Sequence, residues 1–291
     1  MNITCKLLSS LSFEEAHVLF NRGFEGYVVP MNLSIDVFVG RFGNDGLSPA
    51  LSIVAYDGAD PIGFVLQGIR EVDGQKISWN GGTGIIPEYR GKKLGVALMK
   101  EAEKCMMEHQ VSVATLETLS ENKAAIALYE KCGYQVEDDL LFLRANGILD
   151  RELPVLDGYE VIRIPAAQSI GTDLFPSIVS WQTDASNTPK FGGEVVLITK
   201  NGEVQAACLI RKNCLFGNET ESITLFQVKE NGNEDAHTKL LAYALEYDQP
   251  INRTTYNFLK GNGRVVSSLL ARGFENTSIS QVFMTKNLNE V

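Results

Sequence analysis

The sequence predicts an α/β protein of the α+β type, made of two similar halves, each a largely antiparallel sheet with flanking helices. Three observations lead there. Short apolar runs of strand character alternate with stretches of helical periodicity along the chain. Asp57-Gly58 and Asn201-Gly202 each lie between apolar runs, a strong hairpin signal, and they are 144 residues apart. The stretch from Asn122 to Gly133 is echoed 140 residues later by Asn262 to Gly273, and each is followed by an aromatic and then an apolar strand, at residues 140–143 and 282–284. Two echoes in the same order point to a duplicated domain. The seam is expected within residues 145–157, where Asn146-Gly147 and Leu153-Pro154 punctuate the chain, giving domains 1–148 and 149–291.

The elements of the first half follow in order. Residues 3–8 form an apolar strand. Ser12-Phe13-Glu14-Glu15 is a capping box, after which Phe13, Ala16, Phe20 and Phe24 fall on one helical face. A second helix covers residues 34–41, and strands are expected at 51–56, 62–70 and 76–86. Leu94, Leu98, Ala102, Cys105 and Met106 mark the buried stripe of a longer helix. Then come a strand at 113–119, the short helix 122–131 and a last strand.

Composition narrows the function. The 291 residues are 44% hydrophobic and 21% charged, enough for two cores. Twenty-six basic against 36 acidic residues leave a net charge of −10, the wrong sign for a nucleic-acid partner. No apolar run approaches the ~18 residues of a membrane span. The first residues, Met1-Asn2-Ile3-Thr4-Cys5-Lys6, do not read as a signal peptide. Five cysteines without a Cys-x-x-Cys argue against a disulfide framework and a structural zinc site. His17, His109 and His237 lack ligand spacing, so no metal is expected, and the chain reads as cytoplasmic.

The informative stretch runs from Gly81 to Leu98: a strand enters a basic, glycine-bearing loop that opens a long amphipathic helix. Free N–H groups of such a loop and first helical turn converge on an anion. Arg90, Lys92 and Lys93 concentrate positive charge in a half with 13 basic and 20 acidic residues over 1–150. A Walker loop is excluded by Ile86 and Lys93, which stand where it needs Gly and Ser or Thr. A dinucleotide fingerprint is excluded by Pro87.

Ile85-Ile86-Pro87 followed by Arg90-Gly91-Lys92-Lys93-Leu94-Gly95 resembles the acetyl-CoA loop of the GNAT N-acetyltransferase superfamily. Asn122 through Leu128-Tyr129-Glu130-Lys131, then Gly133-Tyr134, resembles the motif that follows it there. One departure is Lys93, where the family usually has Gly. The resemblance implies two tandem GNAT-like domains, each with a splayed strand, and direct acetyl transfer from acetyl-CoA to an amine. Expected cofactor contacts are Gly84, Ile85, Ile86, Arg90, Gly91, Lys92, Lys93, Leu94, Gly95, Val96, Asn122 and Tyr129. Within these, Gly84 and Ile85 offer backbone groups to the pantetheine arm, an N–H near Ile85 faces the oxyanion, and Asn122 anchors the arm or caps its helix.

An alkylammonium of pKa ~10 needs a base before it can attack, and the thiolate leaving group gains from an acid. Tyr129 is the expected acid and Glu117 the favoured base, with Glu25, Asp36 and Glu71 as rivals. Trp79 and Asn80 either line the acceptor pocket or belong to the core, and Cys132 reads as a structural thiol rather than an acetyl carrier. The acidic balance suggests a cationic acceptor: a polyamine, an amino sugar or a basic peptide end. A CoA-binding sensor or interaction module without turnover is the alternative. Oligomeric state stays open between monomer and homodimer.

The second half lacks the loop. After residues 223–228 it runs Lys229-Glu230-Asn231-Gly232-Asn233-Glu234-Asp235, acidic where a phosphate ligand needs the opposite. Leu269 stands at the place of Tyr129 and Asn257 at that of Glu117. This half is expected to be a degenerate copy that buttresses the first or closes its acceptor pocket, with Trp181, Phe191 and Phe226 as core or pocket residues.

Overall fold

A computed structural model describes residues 3–187, 190, 192–215 and 219–289. The chain divides into two compact units. One takes the chain up to Glu137 and adds the segment from Val282 onward; the other is Asp138–Gln281.

The first unit begins with strand β1 (Ile3–Leu7) and helices α1 (Phe13–Gly23) and α2 (Ile35–Asn44). Strands β2 (Ile53–Asp57), β3 (Asp60–Val72) and β4 (Gln75–Ile85) lead to helix α3 (Leu94–Glu108). Strand β5 (Val113–Leu119), helix α4 (Lys123–Lys131) and strand β6 (Gln135–Gly147) follow. The second unit continues with β7 (Tyr159–Pro165), β8 (Gly193–Lys200), β9 (Glu203–Cys214) and β10 (Thr220–Glu230). It ends with α5 (Glu234–Ala244), β11 (Ile251–Thr255), β12 (Phe258–Leu259), α6 (Gly263–Ala271) and β13 (Glu275–Asn287). Among the described residues no helix is long and apolar enough to cross a membrane.

Local chemistry accounts for most boundaries. Ser12 Oγ accepts from Glu15 N–H at 3.2 Å while Glu15 Oε2 accepts from Ser12 N–H at 2.8 Å, so the capping box starts α1 as expected. Of the expected stripe, Ala16 and Phe20 are buried, together with Leu19, which the pattern missed; Phe13 is exposed and packs edge-on against Phe42. Gly58 (φ 64°) and the pair Asn201–Gly202 (φ 55° and 81°) take the left-handed backbone that tight hairpins require. Asp73–Gly74 (φ 51° and 74°) forms a third such turn, between β3 and β4.

In the first unit the strands run β1-β2-β3-β4-β5, antiparallel except for the parallel pair β4–β5. The C-terminal part of β13 lies beside β5. Leu288 N–H donates to the Ser112 carbonyl at 2.9 Å, and Lys286 Nζ reaches Glu103 at 2.6 Å and the Cys132 carbonyl at 2.9 Å. Leu98, Met99, Ala102 and Met106 of α3 are buried, as are Phe64, Leu66 and Ile77 of the sheet.

The second unit has the same plan, β7-β8-β9-β10-β11, again with one parallel pair, β10–β11. Its last strand comes from β6, whose residues 144–147 pair with residues 251–254 of β11. The compact units therefore differ from the expected division at 148/149: residues 138–148 count with the second and 282–289 with the first. The reason is topological. Each sheet is completed by the strand that follows the other half's short helix, which no seam read from turn residues reveals.

A chain ending after Gln281 is expected to lose cooperative folding of the first unit, because β5 then carries an unpaired edge. Amide hydrogen exchange in β5 checks this: protection should collapse there while β8–β10 remain protected.

Candidate active site

The site begins where a ladder stops. Strands β4 and β5 pair from Ile77–Val113 to Asn80–Leu116, and no further. Residues 81–85 of β4 and 117–119 of β5 diverge, leaving a wedge between parallel strands whose backbone groups lack each other as partners.

A β-bulge sets which groups face that wedge. The β3–β4 register slips between Leu66–Gly82 and Gln67–Asn80, so Gly81 has no partner on β3. Asn80 is buried and bridges the bulge, accepting from Gly82 N–H at 3.0 Å and donating to Thr83 Oγ1 at 2.8 Å. Beyond it, Ile86 N–H donates to the Ile62 carbonyl at 3.0 Å. Alternation in an antiparallel ladder then directs the backbone of Gly84 to β3 and that of Thr83 and Ile85 to the wedge. Of the expected contacts, Ile85 therefore presents its N–H there, whereas the groups of Gly84 and the N–H of Ile86 are taken by β3. Gly84 is glycine for packing: a Cβ would lie 2.5 Å from Phe64 Cζ and 3.2 Å from Gly23 Cα.

The loop after β4 is left-handed twice, at Gly91 (φ 74°) and at Lys93 (φ 62°), the N-cap of α3. Lys93 thus occupies a conformation that glycine takes without cost, and its side chain does not cap the helix. Lys92 and Lys93 are exposed, and Lys92 Nζ lies 4.5 Å from the centre of the Tyr89 ring. Arg90 is placed differently. Its guanidinium donates to the carbonyls of Ile85 (2.9 Å), Gly23 (3.1 Å) and Glu25 (2.7 Å), tying the loop to the end of α1. Leu94 is buried and Val96 half-buried. Gly95 faces α4, where a Cβ would meet Leu128 Cδ2 at 2.9 Å.

Helix α4 packs on α3, where Leu128 meets Gly95. Asn122 Oδ1 accepts from Ala125 N–H at 3.1 Å, so it caps α4. Tyr129 is buried and its ring lies 6.1 Å from that of Tyr134. Burial pushes the Tyr129 phenol up to about 12, so it carries its proton throughout the neutral range. Thr83 was not singled out by the sequence; only the parity imposed by the bulge reveals it. Glu117 is half-buried one residue past the last β4–β5 pair, and Trp79 Nε1 donates to its Oε2 at 2.7 Å. Trp79 and Asn80 are themselves buried, at 4% exposure each, so both belong to the core.

The remaining candidates lie elsewhere. Glu25 and Asp36 are exposed, Asp36 in the first turn of α2. Glu71 pairs with Lys76 near the opposite end of β4, four residues before Asn80, or about 13 Å at the rise of a strand. Cys132 is half-buried and burial raises its thiol pKa, which disfavours a nucleophilic thiolate. In the second unit Leu269 is in the core, and Asn257 is buried and donates to Ser180 Oγ at 3.0 Å. Trp181 and Phe226 are buried; Phe191 lies outside the described residues.

The splayed parallel pair and the glycine-bearing loop at its mouth lie within the stretch of the chain that known proteins share. The chain belongs to the acetyltransferase (GNAT) family, whose model matches residues 23–134. It is 30% identical over 104 residues to an acetyltransferase of Sodalis glossinidius (strain morsitans), a match covering 36% of this chain and 70% of that protein. The fold is shared with a tandem GNAT protein from the clavulanic acid biosynthesis pathway (TM-score 0.57, 16% identity, 98% of both chains). It is shared also with a GCN5-related N-acetyltransferase from Sphaerobacter thermophilus (TM-score 0.60, 13% identity, 98% of this chain and 95% of that one).

Two outcomes follow from this geometry. Lys93→Gly removes the left-handed penalty and is expected to raise unfolding stability by about 1 kcal/mol in urea titration. The raised Tyr129 pKa means the unfolded chain releases that proton near 10 and the folded one near 12. Its contribution is complete below pH ~10 and falls away as the pH rises through about 12. Tyr129→Phe should flatten that alkaline decline relative to the native chain, read as denaturation midpoints between pH 9 and 12.

Proposed function

We propose that the first unit binds acetyl-CoA in the wedge and transfers its acetyl group directly to a primary amine of a small molecule or peptide. The observation that supports this is the end of the β4–β5 ladder at Asn80–Leu116, with Glu117 one residue past it on β5, the outward N–H of Ile85 beyond the bulge on β4, and a buried, protonated Tyr129 on α4.

Residues Gly91–Gly95 supply backbone N–H groups for the phosphates, with Lys92 and Lys93 adding positive charge at their rim. Arg90 acts at one remove, as the tie that holds this loop against α1. Ile85 and Thr83 offer the edge-strand groups to which the pantetheine arm bonds as a third strand would. Asn122 presents α4 to the arm through its cap.

Glu117 takes a proton from the bound ammonium, whose solution pKa of ~10 otherwise leaves it unreactive. The freed amine attacks the thioester carbonyl, and the negative charge that develops on its oxygen is met by Ile85 N–H. As the carbon–sulfur bond breaks, Tyr129 donates its proton to the departing sulfur. As the tetrahedral intermediate collapses the nitrogen gives up its second proton, which returns through water to the Tyr129 phenolate, and the proton held by Glu117 passes to solvent, so one ammonium and one thioester give one amide, one thiol and one proton.

The second unit is read as a copy without this chemistry. Strand β10 also outruns its parallel partner, the pairing ending at Leu225–Thr255. The acids Glu230, Glu234 and Asp235 follow where phosphates would lie, and neither a tyrosine nor a carboxylate stands at Leu269 and Asn257.

Calorimetric titration with acetyl-CoA should give one site per chain. Tyr129→Phe and Glu117→Gln should each retain that binding and lose about 10²-fold or more of kcat in an amine panel. Binding without turnover of any amine would leave a CoA-binding module instead.

A further inference from the structure

We propose that Arg41 is a positioning residue for acyl transfer, which aims the Trp79–Glu117 pair by fastening the bulged segment of β4 to α2. The proposal rests on Glu117 as the base.

The bulge leaves Gly81 out of the β3–β4 ladder, and its carbonyl accepts from Arg41 Nη2 at 2.8 Å. Arg41 Nε donates to Asp45 Oδ2 at 3.0 Å, one turn further along α2. The same guanidinium lies against two rings, its central carbon 5.8 Å from the centre of Phe20 and 5.9 Å from that of Trp79. Its third nitrogen, Nη1, is buried without a hydrogen-bond partner. This side chain is placed for contact rather than for hydration. Trp79 is fixed from another side too: a Cβ on Gly81 would stand 2.7 Å from Trp79 Cζ3 and 2.8 Å from Leu47 Cδ2. The indole so held donates to Glu117 Oε2 at 2.7 Å. Contacts therefore run unbroken from Asp45 through Arg41 and Trp79 to the carboxylate.

Arginine suits this place. A planar fork serves a carboxylate and a carbonyl at once while its face covers aromatic rings; an ammonium serves one partner at a time. Small displacements of a reacting group are costly, up to about 10²-fold for 1 Å. Loss of the fork should therefore appear in kcat rather than in cofactor binding.

The test uses the full chain with Arg41→Gln and Arg41→Lys. Arg41→Gln should lower kcat about 10-fold with the KM for acetyl-CoA within about 2-fold, and Arg41→Lys should restore part of the loss. A second readout is independent of turnover. With 5-fluorotryptophan incorporated, the resonance lost in Trp79→Phe should shift in both Arg41 variants, while that of Trp181 stays in place. Should Arg41→Gln not fold, the kcat–KM split and the fluorine shift are read on Arg41→Lys. An unmoved Trp79 resonance, or full kcat in a folded Arg41→Gln, would overturn the proposal. Full turnover by Glu117→Gln would instead remove the base reading and the catalytic part of this one, and the fluorine shift would still report whether Arg41 holds Trp79.

Discussion

The interruption of one parallel ladder is the constraint on which the site depends. Four residue pairs hold β4 to β5, and after Asn80–Leu116 nothing does. Edge groups left this way cost free energy if buried unpaired, so the wedge is stable only when water or an extended ligand occupies it. The bulge at Asn80–Gly82 sets its shape, with Asn80 spanning the kink and Arg41 taking the carbonyl that the ladder leaves over. Close packing reinforces the arrangement, because Gly23 and Gly84 meet where neither could carry a Cβ.

Positive charge in the loop divides into two roles. Arg90 spends its guanidinium on three carbonyls, including two at the end of α1, where the helix presents partial negative charge. Lys92 and Lys93 stay exposed. The turn of the loop is thus set by two left-handed residues, Gly91 and Lys93, and a lysine at one of them leaves the backbone N–H directions unchanged.

Both units use the same strand order and the same outrunning strand, and they differ in what fills the equivalent buried place, Tyr129 in one and Leu269 in the other. Packing is alike in the two: Leu269 and Phe258 are core residues of the second unit, as Tyr129 is a core residue that also bears a hydroxyl in the first.

Much of this was legible along the chain because it is encoded within a few residues. The Ser12–Glu15 box, the Gly58 and Asn201–Gly202 turns, the Asn122 cap and the glycine-bearing loop each depend on neighbours in sequence. The acyltransferase family was legible from two such local motifs in order. Other features lay beyond that reach because their partners lie distant in the chain. A slip of one residue against β3 decided that Thr83 and Ile85, rather than Gly84, face the wedge. Carbonyls more than 60 residues away took up the guanidinium of Arg90, and Trp79 became the partner of Glu117 across 38 residues. The strand beyond Val282 joined the first unit because a sheet edge needs a partner, wherever in the sequence that partner is made.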